Sequence, residues 1–298
     1  MSKTQWVILA AVACVAVALS TLLSRAEKPG AARAGYPQRI VCMAPNIGET
    51  LFALGVGDRV VGVSDYTVYP PEATKLPTVG AQYNADLEKI ASLKPDLVIV
   101  QEKHEKVEQL CAERGIEVMR VRMLRVESIL EGVRQLGDRL GVPENAVALQ
   151  KKIQADLAAV RARVQGLPRV DVFLCVGRTP GSPRGLFAIG GTSFLNELIK
   201  TSGGRNVYED IQDSYPQVSA ESLIQLAPQV IIETYPSQKL SEEQRKAIIA
   251  DWSALPKIPA VRDGRVILLT EDFLVVPGPR IGLIAERLAD VLHPKERS

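Results

Sequence analysis

Six aromatic side chains, Tyr66, Tyr69, Tyr83, Tyr215, Tyr235 and Phe273, fall near the loop ends of predicted strands and helices. Rings placed there suit the flat face of a large apolar ligand, with each phenol adding one hydrogen-bonding tip. Arg178 and Arg184 sit in a Gly/Pro-rich loop after a predicted strand, and Arg280 follows Pro277-Gly278-Pro279. Two or three converging guanidiniums would recognise an anionic ligand. The plainer reading has Arg280 packing at the start of the last helix and the loop arginines in solvent, and both readings stay open here.

Catalytic constellations are missing. His104 and His293 are the two histidines, one at a helix start and one in the C-terminal tail, and both read as surface residues. No G-x-S-x-G elbow, no G-x-G-x-x-G after a strand and no Walker sequence occurs. Too few histidines are present for a histidine-built metal site, so neither metal nor catalytic residues are assigned. Cys42 and Cys175 lie in strand-like runs and Cys111 in a helical pattern, without C-x-x-C spacing. Buried thiols packing as small hydrophobes is the expectation, with a disulfide at Cys42 or Cys111 open in an oxidising compartment.

The elements that must position these residues begin after a leader. Trp6 to Leu23 is uncharged and apolar, and Ser24-Arg25-Ala26 ends on small residues that suit a signal peptidase. The expectation is an export signal at 1–26, cleaved near Ala26, then a flexible tail at 27–38; an uncleaved membrane anchor is the alternative. The residues after Cys14 are apolar, where a lipidated N-terminus would be polar. The whole chain carries 36 Lys and Arg against 34 Asp and Glu. The leader holds Lys3 and Arg25 and no acid, so the rest is formally neutral. A balanced chain without a basic stripe excludes a nucleic-acid binder.

From Arg39 onwards, short apolar runs alternate with helical patterns, which predicts βαβ units around parallel sheets. Strands are expected at Arg39 to Ala44, Val60 to Ser64, Leu97 to Val100 and Glu117 to Val121. Then Pro143 to Val164 forms one long amphipathic pattern, opened by proline and closed by Gly166-Leu167-Pro168. Alternation resumes with strands at Val170 to Val176, Val230 to Glu233 and Val266 to Leu269. The fold class is therefore α/β, with two parallel-sheet lobes at 39–142 and 167–298 joined by a single helix at 143–166. An ungapped repeat supports this: Asp86 to Ile99 (DLEKIASLKPDLVI) aligns with Ser219 to Ile232 (SAESLIQLAPQVII). Two versions of one unit place the default ligand site in the cleft between them.

Several strings, taken in order, carry a resemblance. Arg39-Ile-Val-Cys-Met-Ala-Pro45-Asn46-x-x-Glu49, Val61-Gly62-Val63-Ser64-x-Tyr66, Leu76-Pro77-x-Val79-Gly80, Gly190-Gly191-Thr192-Ser193-Phe194 and Trp252-x-x-Leu255-Pro256 resemble the substrate-binding proteins of ABC importers for cobalamin, iron siderophores and haem. The likeness extends from Arg39 to Leu292. It implies an exported, non-enzymatic receptor with two lobes bridged by one helix and no cofactor of its own. It also implies an ABC permease dimer with its cytoplasmic ATPase as partner, docked by Glu88 and Glu221, the paired glutamates of the repeat. A carboxylate in a helix's first turn also complements the dipole by about 0.3 to 1 kcal/mol, so a purely structural role stands beside that one.

Within the family the chain looks most like cobalamin binders, through Tyr66, Pro216-Gln217-Val218-Ser219 and Asp272-Phe273. The resemblance thereby implies a corrinoid, cobalamin or cobinamide, and a ligand set of Tyr66, Gln82, Tyr83, Arg178, Tyr215, Asp272, Phe273 and Arg280. Gln82 stands where cobalamin binders carry tryptophan, Tyr215 replaces another, and Val276 falls where an arginine reaches the ligand. These departures keep haem and ferric siderophores open, with Tyr66, Tyr83 or Tyr215 able to serve as an axial haem ligand. An envelope enzyme or chelatase on the same scaffold and a membrane-tethered sensor are the readings from other classes.

Overall fold

A computed structural model describes residues 35–81 and 83–294; the expected export signal, residues 27–34 of the expected tail, Gln82 and the last four residues lie outside them. From Pro37 onwards the chain forms one compact unit. Its first half contains β1 (Ile40–Cys42), α1 (Pro45–Ala53), β2 (Val60–Gly62), α2 (Leu87–Ser92), β3 (Leu97–Val100), α3 (Glu105–Arg114), β4 (Glu117–Arg120) and α4 (Val126–Leu140). These strands pair in the order β2-β1-β3-β4, all parallel, with Ile40 opposite both Val60 and Leu97, and Leu97 opposite Glu117. Such a sheet, covered by helices on both faces, requires strands that are apolar throughout. β1 and β3 are buried at every position.

The long helix α5 (Pro143–Val164) occupies the residues whose pattern predicts it. Proline at its first position lacks only a donor that would be unpaired anyway, and Arg161 and Arg163 complement the dipole in its last turn. Buried Ile153, Leu157, Val160 and Val164 recur every three or four residues, giving one apolar stripe. α4 packs closely along α5, because Gly137 faces Ala146 where a Cβ would meet the alanine methyl.

The second half contains β5 (Val170–Gly177), β6 (Leu186–Ala188), α6 (Phe194–Thr201), β7 (Gly204–Asn206), β8 (Gln217–Val218), α7 (Ala220–Leu226), β9 (Val230–Thr234), α8 (Glu242–Asp251), α9 (Pro259–Arg262), β10 (Val266–Leu269) and α10 (Ile281–Leu292). β10, β9 and β5 are parallel, and β7 pairs in parallel with the start of β5. β6 and β8 add an antiparallel extension, so this sheet is mixed around a parallel centre. At three and two residues they are too short to show a period in sequence.

Successive strand residues point to opposite faces, and the core divides accordingly. Ile40, Ile99, Val172 and Ile232 join Ile153, Leu157 and Val160 of α5 in one apolar cluster that runs through both sheets. Val41 and Val98 face a second cluster with Ile90 and Cys111. Phe173 and Ile231 face a third with Trp252 and Leu255. Cys42, Cys111 and Cys175 are free and buried. Cys42 and Cys111 belong to clusters on opposite faces of the first sheet, which is why no bridge joins them. Burial pushes their thiols up to about 12 and about 11, and that of Cys175 up to about 12, so the reactive thiolate is scarce.

The repeat has a structural counterpart. Asp86 and Ser219 cap α2 and α7 by accepting from the backbone N–H of Lys89 and Ser222. Lys94 and Ala227, just past the two helices, both take the left-handed backbone at φ 48° and 46°. A proline then turns each chain into a buried strand. Among the described residues no helix is long and apolar enough to cross a membrane.

Candidate ligand-binding site

Open parallel sheets bind ligands beyond the carboxyl ends of their strands, where the βα loops converge. In the first lobe those ends enclose a hollow of about 500 Å³ whose lining includes Met43, Pro45, Ser64, Tyr66, Tyr83 and Gln101. Tyr66 is 71% and Tyr83 100% exposed, an unusual state for large rings on a well-packed surface. Described residues on either side of Tyr83 make defined hydrogen bonds. Asp65 accepts from the Gly80 N–H at 3.1 Å and its own N–H donates to the Gly80 carbonyl at 3.0 Å, while Asn84 accepts from the Ala81 N–H at 3.1 Å. Gly80 has φ +83°, and a Cβ there would strike the Asn84 backbone.

The second lobe presents the N-terminal end of α6 and the loop leading to β8. Ser193 caps α6 and lies against the phenol of Tyr215, which is 44% exposed. Thr192 and Ser214 share a hydroxyl hydrogen bond of 3.0 Å. Gly190 and Gly191 pass so close to the carbonyls of Asp213 and Glu209 that no side chain fits. Asn196 donates to the Gly191 carbonyl at 3.1 Å and accepts from Asn206 at 3.2 Å, which locks this wall.

Among the described residues, polar contacts join the lobes at two flanks. At one flank the Arg125 guanidinium, before α4, meets Glu197 of α6 at 2.9 Å, with both side chains partly in solvent. At the other, Asn46 donates to the Pro277 carbonyl at 3.3 Å, and Arg280 grips Glu49 through Nε at 2.9 Å and Nη2 at 2.6 Å. The third arm of Arg280 reaches Asp272 at 2.9 Å, and its guanidinium lies 3.9 Å from the Tyr69 ring centre. Burial pushes the Glu49 carboxyl up, with Arg280 pulling it back down. Glu49, Tyr69 and Arg280 also line a groove of about 610 Å³ between α1, α5 and α10, with Phe52, Leu149 and Leu283.

These contacts engage three of the expected ligand residues, Arg178, Arg280 and Asp272, within the protein. Arg178 is not turned to a ligand: it donates to Glu233 at 2.8 Å, to Asp251 at 2.9 Å and to the carbonyls of Ser182 and Ile248. Its side chain and that of Glu233 are each only 2% exposed. Glu233 also accepts from the Trp252 indole at 2.8 Å and the Tyr235 hydroxyl at 2.7 Å. Arg280, likewise, is engaged by Glu49 and Asp272, and Asp272 by Arg280. The physical reason is shared: a guanidinium this deeply buried is retained only where carboxylates neutralise it. Phe273 packs against the core, whereas Arg184 is exposed near Glu221.

Tyr66, Tyr83 and Tyr215 are the expected ligand residues that present open ring surface, two on the first lobe and one on the second. Tyr69 and Tyr235 are occupied by Arg280 and Glu233. Gln82 lies outside the described residues. The sequence alone gives Glu49 no site role, because its partner Arg280 is 231 residues away. Glu88 and Glu221 are exposed at the second position of α2 and α7. The Glu221 carboxyl is held below its ordinary range by its own backbone N–H and the Ser219 hydroxyl, with Arg184 adding to the effect.

Known proteins share this arrangement. A vitamin B12-binding protein of Salmonella typhimurium is 34% identical over 257 residues, which covers 85% of this chain and 90% of that one. An uncharacterised ABC transporter substrate-binding lipoprotein of Bacillus subtilis, YvrC, is 30% identical over 87% of this chain and 81% of its own. Among solved structures, a periplasmic haem-binding protein of Pseudomonas aeruginosa superposes with a TM-score of 0.75 at 27% identity, covering 87% of this chain and 94% of that one. The vitamin B12-binding protein BtuF of Vibrio cholerae gives 0.71 at 25% identity, covering 88% and 99%. The periplasmic binding protein family matches residues 40–273, from the first strand of one wall to the last loop of the other. With both sheets, the bridging helix and the Arg125–Glu197 contact inside that span, the chain belongs to the periplasmic binding protein family.

Proposed function

We propose that this chain is an extracytoplasmic receptor that captures a corrinoid, cobalamin or cobinamide, and hands it to an ABC permease. The observation that carries the ligand class is the pairing of three outstanding tyrosine rings with guanidiniums already neutralised by carboxylates. Rings recognise the broad, largely uncharged face of a macrocycle by stacking. Haem propionates or an anionic siderophore would call for free converging arginines, and Arg178 and Arg280 are engaged elsewhere. The relatives named for vitamin B12 support the same reading. The reading is of a receptor without catalysis and without a cofactor of its own, exported by its apolar N-terminal segment.

One observation favours a second ligand: the Tyr83 hydroxyl is fully exposed, as an axial haem ligand would be before binding. Titrating purified protein separately with cobalamin, cobinamide, haemin and a ferric siderophore distinguishes the two. Tyrosine and tryptophan fluorescence together with visible absorption report binding. The expected result is saturable quenching by the corrinoids and none by the siderophore. Saturation by haemin alone, with a shifted Soret band, would replace the corrinoid by haem, and turnover of any ligand would reject a receptor.

Permease docking is assigned to Glu88 and Glu221, since two carboxylates at equivalent positions of two repeats suit a partner with twofold symmetry. The Glu88→Ala/Glu221→Ala protein is expected to keep its ligand affinity within about twofold while uptake through the transporter falls at least about tenfold, as loss of charge-paired contacts predicts. Ligand titration and a cellular uptake assay read the two halves. Undiminished uptake would remove these residues from the interface.

A further inference from the structure

Arg280 is the point at which three separate pieces of the chain meet. Glu49 comes from α1 of the first lobe, Tyr69 from the loop after β2 of that lobe, and Asp272 with Phe273 from the loop after β10 of the second. The guanidinium holds Glu49 with two donors and Asp272 with the third, between the rings of Tyr69 at 3.9 Å and Phe273 at 5.5 Å. Side-chain exposure is 12% for Arg280 and 2% for Glu49. Beside it, the Asn46 amide donates to the Pro277 carbonyl, and a Cβ placed on Gly278 would come within 3.4 Å of Asn46. The loop from Asp272 to Arg280 is therefore fastened at both Pro277 and Arg280 to the opposite lobe.

The other interlobe pair, Arg125 with Glu197, differs in kind. Its side chains are 59% and 28% exposed, so solvent and salt screen it and it constrains the lobes little. A buried fork of two parallel hydrogen bonds fixes both distance and orientation, which a lysine or a single contact would not do. The continuous core through α5 limits how the lobes pivot, while Arg280 fixes one edge of the gap between them.

We propose that Arg280 is a positioning residue: by clamping the Asp272–Phe273 loop to Glu49 and Tyr69 it presets the gape of the cleft before ligand enters. This deepens the receptor reading and rests on it for the affinity consequence alone. A preset gape lowers the ordering cost of binding and selects ligands by thickness. No contact between Arg280 and ligand is required.

The test uses the double variant Glu49→Met/Arg280→Met, which removes both interlobe charges and replaces them with apolar side chains of similar length. Glu49→Gln is the milder companion, keeping volume and removing the charge. Spin labels at Lys106→Cys and Lys246→Cys, exposed on α3 and α8, report the interlobe distance by pulsed electron resonance. Cys42, Cys111 and Cys175 are buried and escape labelling, and Cys14 is replaced by serine in every labelled variant. Arg134→Met, in an exposed pair within α4, serves as control. The expected result is a narrow distance distribution in the ligand-free parent and control and a broader or shifted one in both clamp variants. Cobalamin affinity of the double variant is expected to fall about tenfold, the size of coupling typical of residues in one network. Distributions as narrow and as centred as the parent's in a folded double variant would overturn the proposal. That readout needs no ligand, so a parent that binds no corrinoid would reject the receptor's ligand and leave the clamp supported or overturned on its distances.

Discussion

Arg178→Met is expected to lower unfolding stability by about 3 to 5 kcal/mol, because removing one partner of a buried ion pair leaves the other uncompensated. Glu233 would keep the Trp252 indole and Tyr235 hydroxyl as donors yet lose its charge partner, and Asp251 would lose its own. Carbonyls of Ser182 and Ile248 would also be left without the guanidinium. Urea unfolding followed by tryptophan fluorescence measures this directly, since Trp252 is within the network. Arg205→Met, which breaks an exposed pair with Asp171, is expected to cost at most about 1 kcal/mol and sets the scale. Equal effects of the two substitutions would mean that the Arg178 network adds nothing beyond an ordinary surface contact.

The second large effect concerns ligand capture. Tyr66→Ala, Tyr83→Ala and Tyr215→Ala are each expected to weaken corrinoid binding roughly tenfold to thirtyfold, the range for exposed aromatic anchors that become buried in a complex. Melting temperature should hardly move, because these rings contribute little to the core. Phenylalanine at the same positions is the discriminating substitution. A macrocycle stacked on the ring tolerates loss of the hydroxyl, whereas haem held through a phenolate does not. Retained affinity in the phenylalanine variants, measured by fluorescence titration, supports stacking; affinity lost with a single hydroxyl would assign that tyrosine a ligating role and turn the reading toward haem.

What could be read from sequence followed from interactions that are local or periodic. The bounds of α5 are legible because proline, a sustained apolar stripe and Gly166-Leu167-Pro168 act within a few residues of one another. β3 and β9 are legible as short unbroken apolar runs, and the repeat predicted that they would follow matching helices. β6 and β8 are not, since an antiparallel pair of three and two residues depends on the partner strand rather than on any pattern of its own. Arg178 and Arg280 carry the sharper lesson. A guanidinium in a loop reads as available, and only the fold reveals carboxylates 55, 73 and 231 residues distant beside it. Tyr66, Tyr83 and Tyr215 read as ring surfaces at loop ends, and the fold leaves each of them at least 44% exposed.

The apolar cluster that passes from one sheet through α5 into the other makes the lobes inseparable as modules. A chain divided within α5 would present Ile153, Leu157 and Val160 to water on both fragments, and neither half would close its interior. The walls of the cleft are carried on loops beyond the strand ends, away from that shared interior. Ligand preference can therefore change by exchanging tyrosine-bearing loops, while a substitution along the buried face of α5 endangers the whole receptor at once.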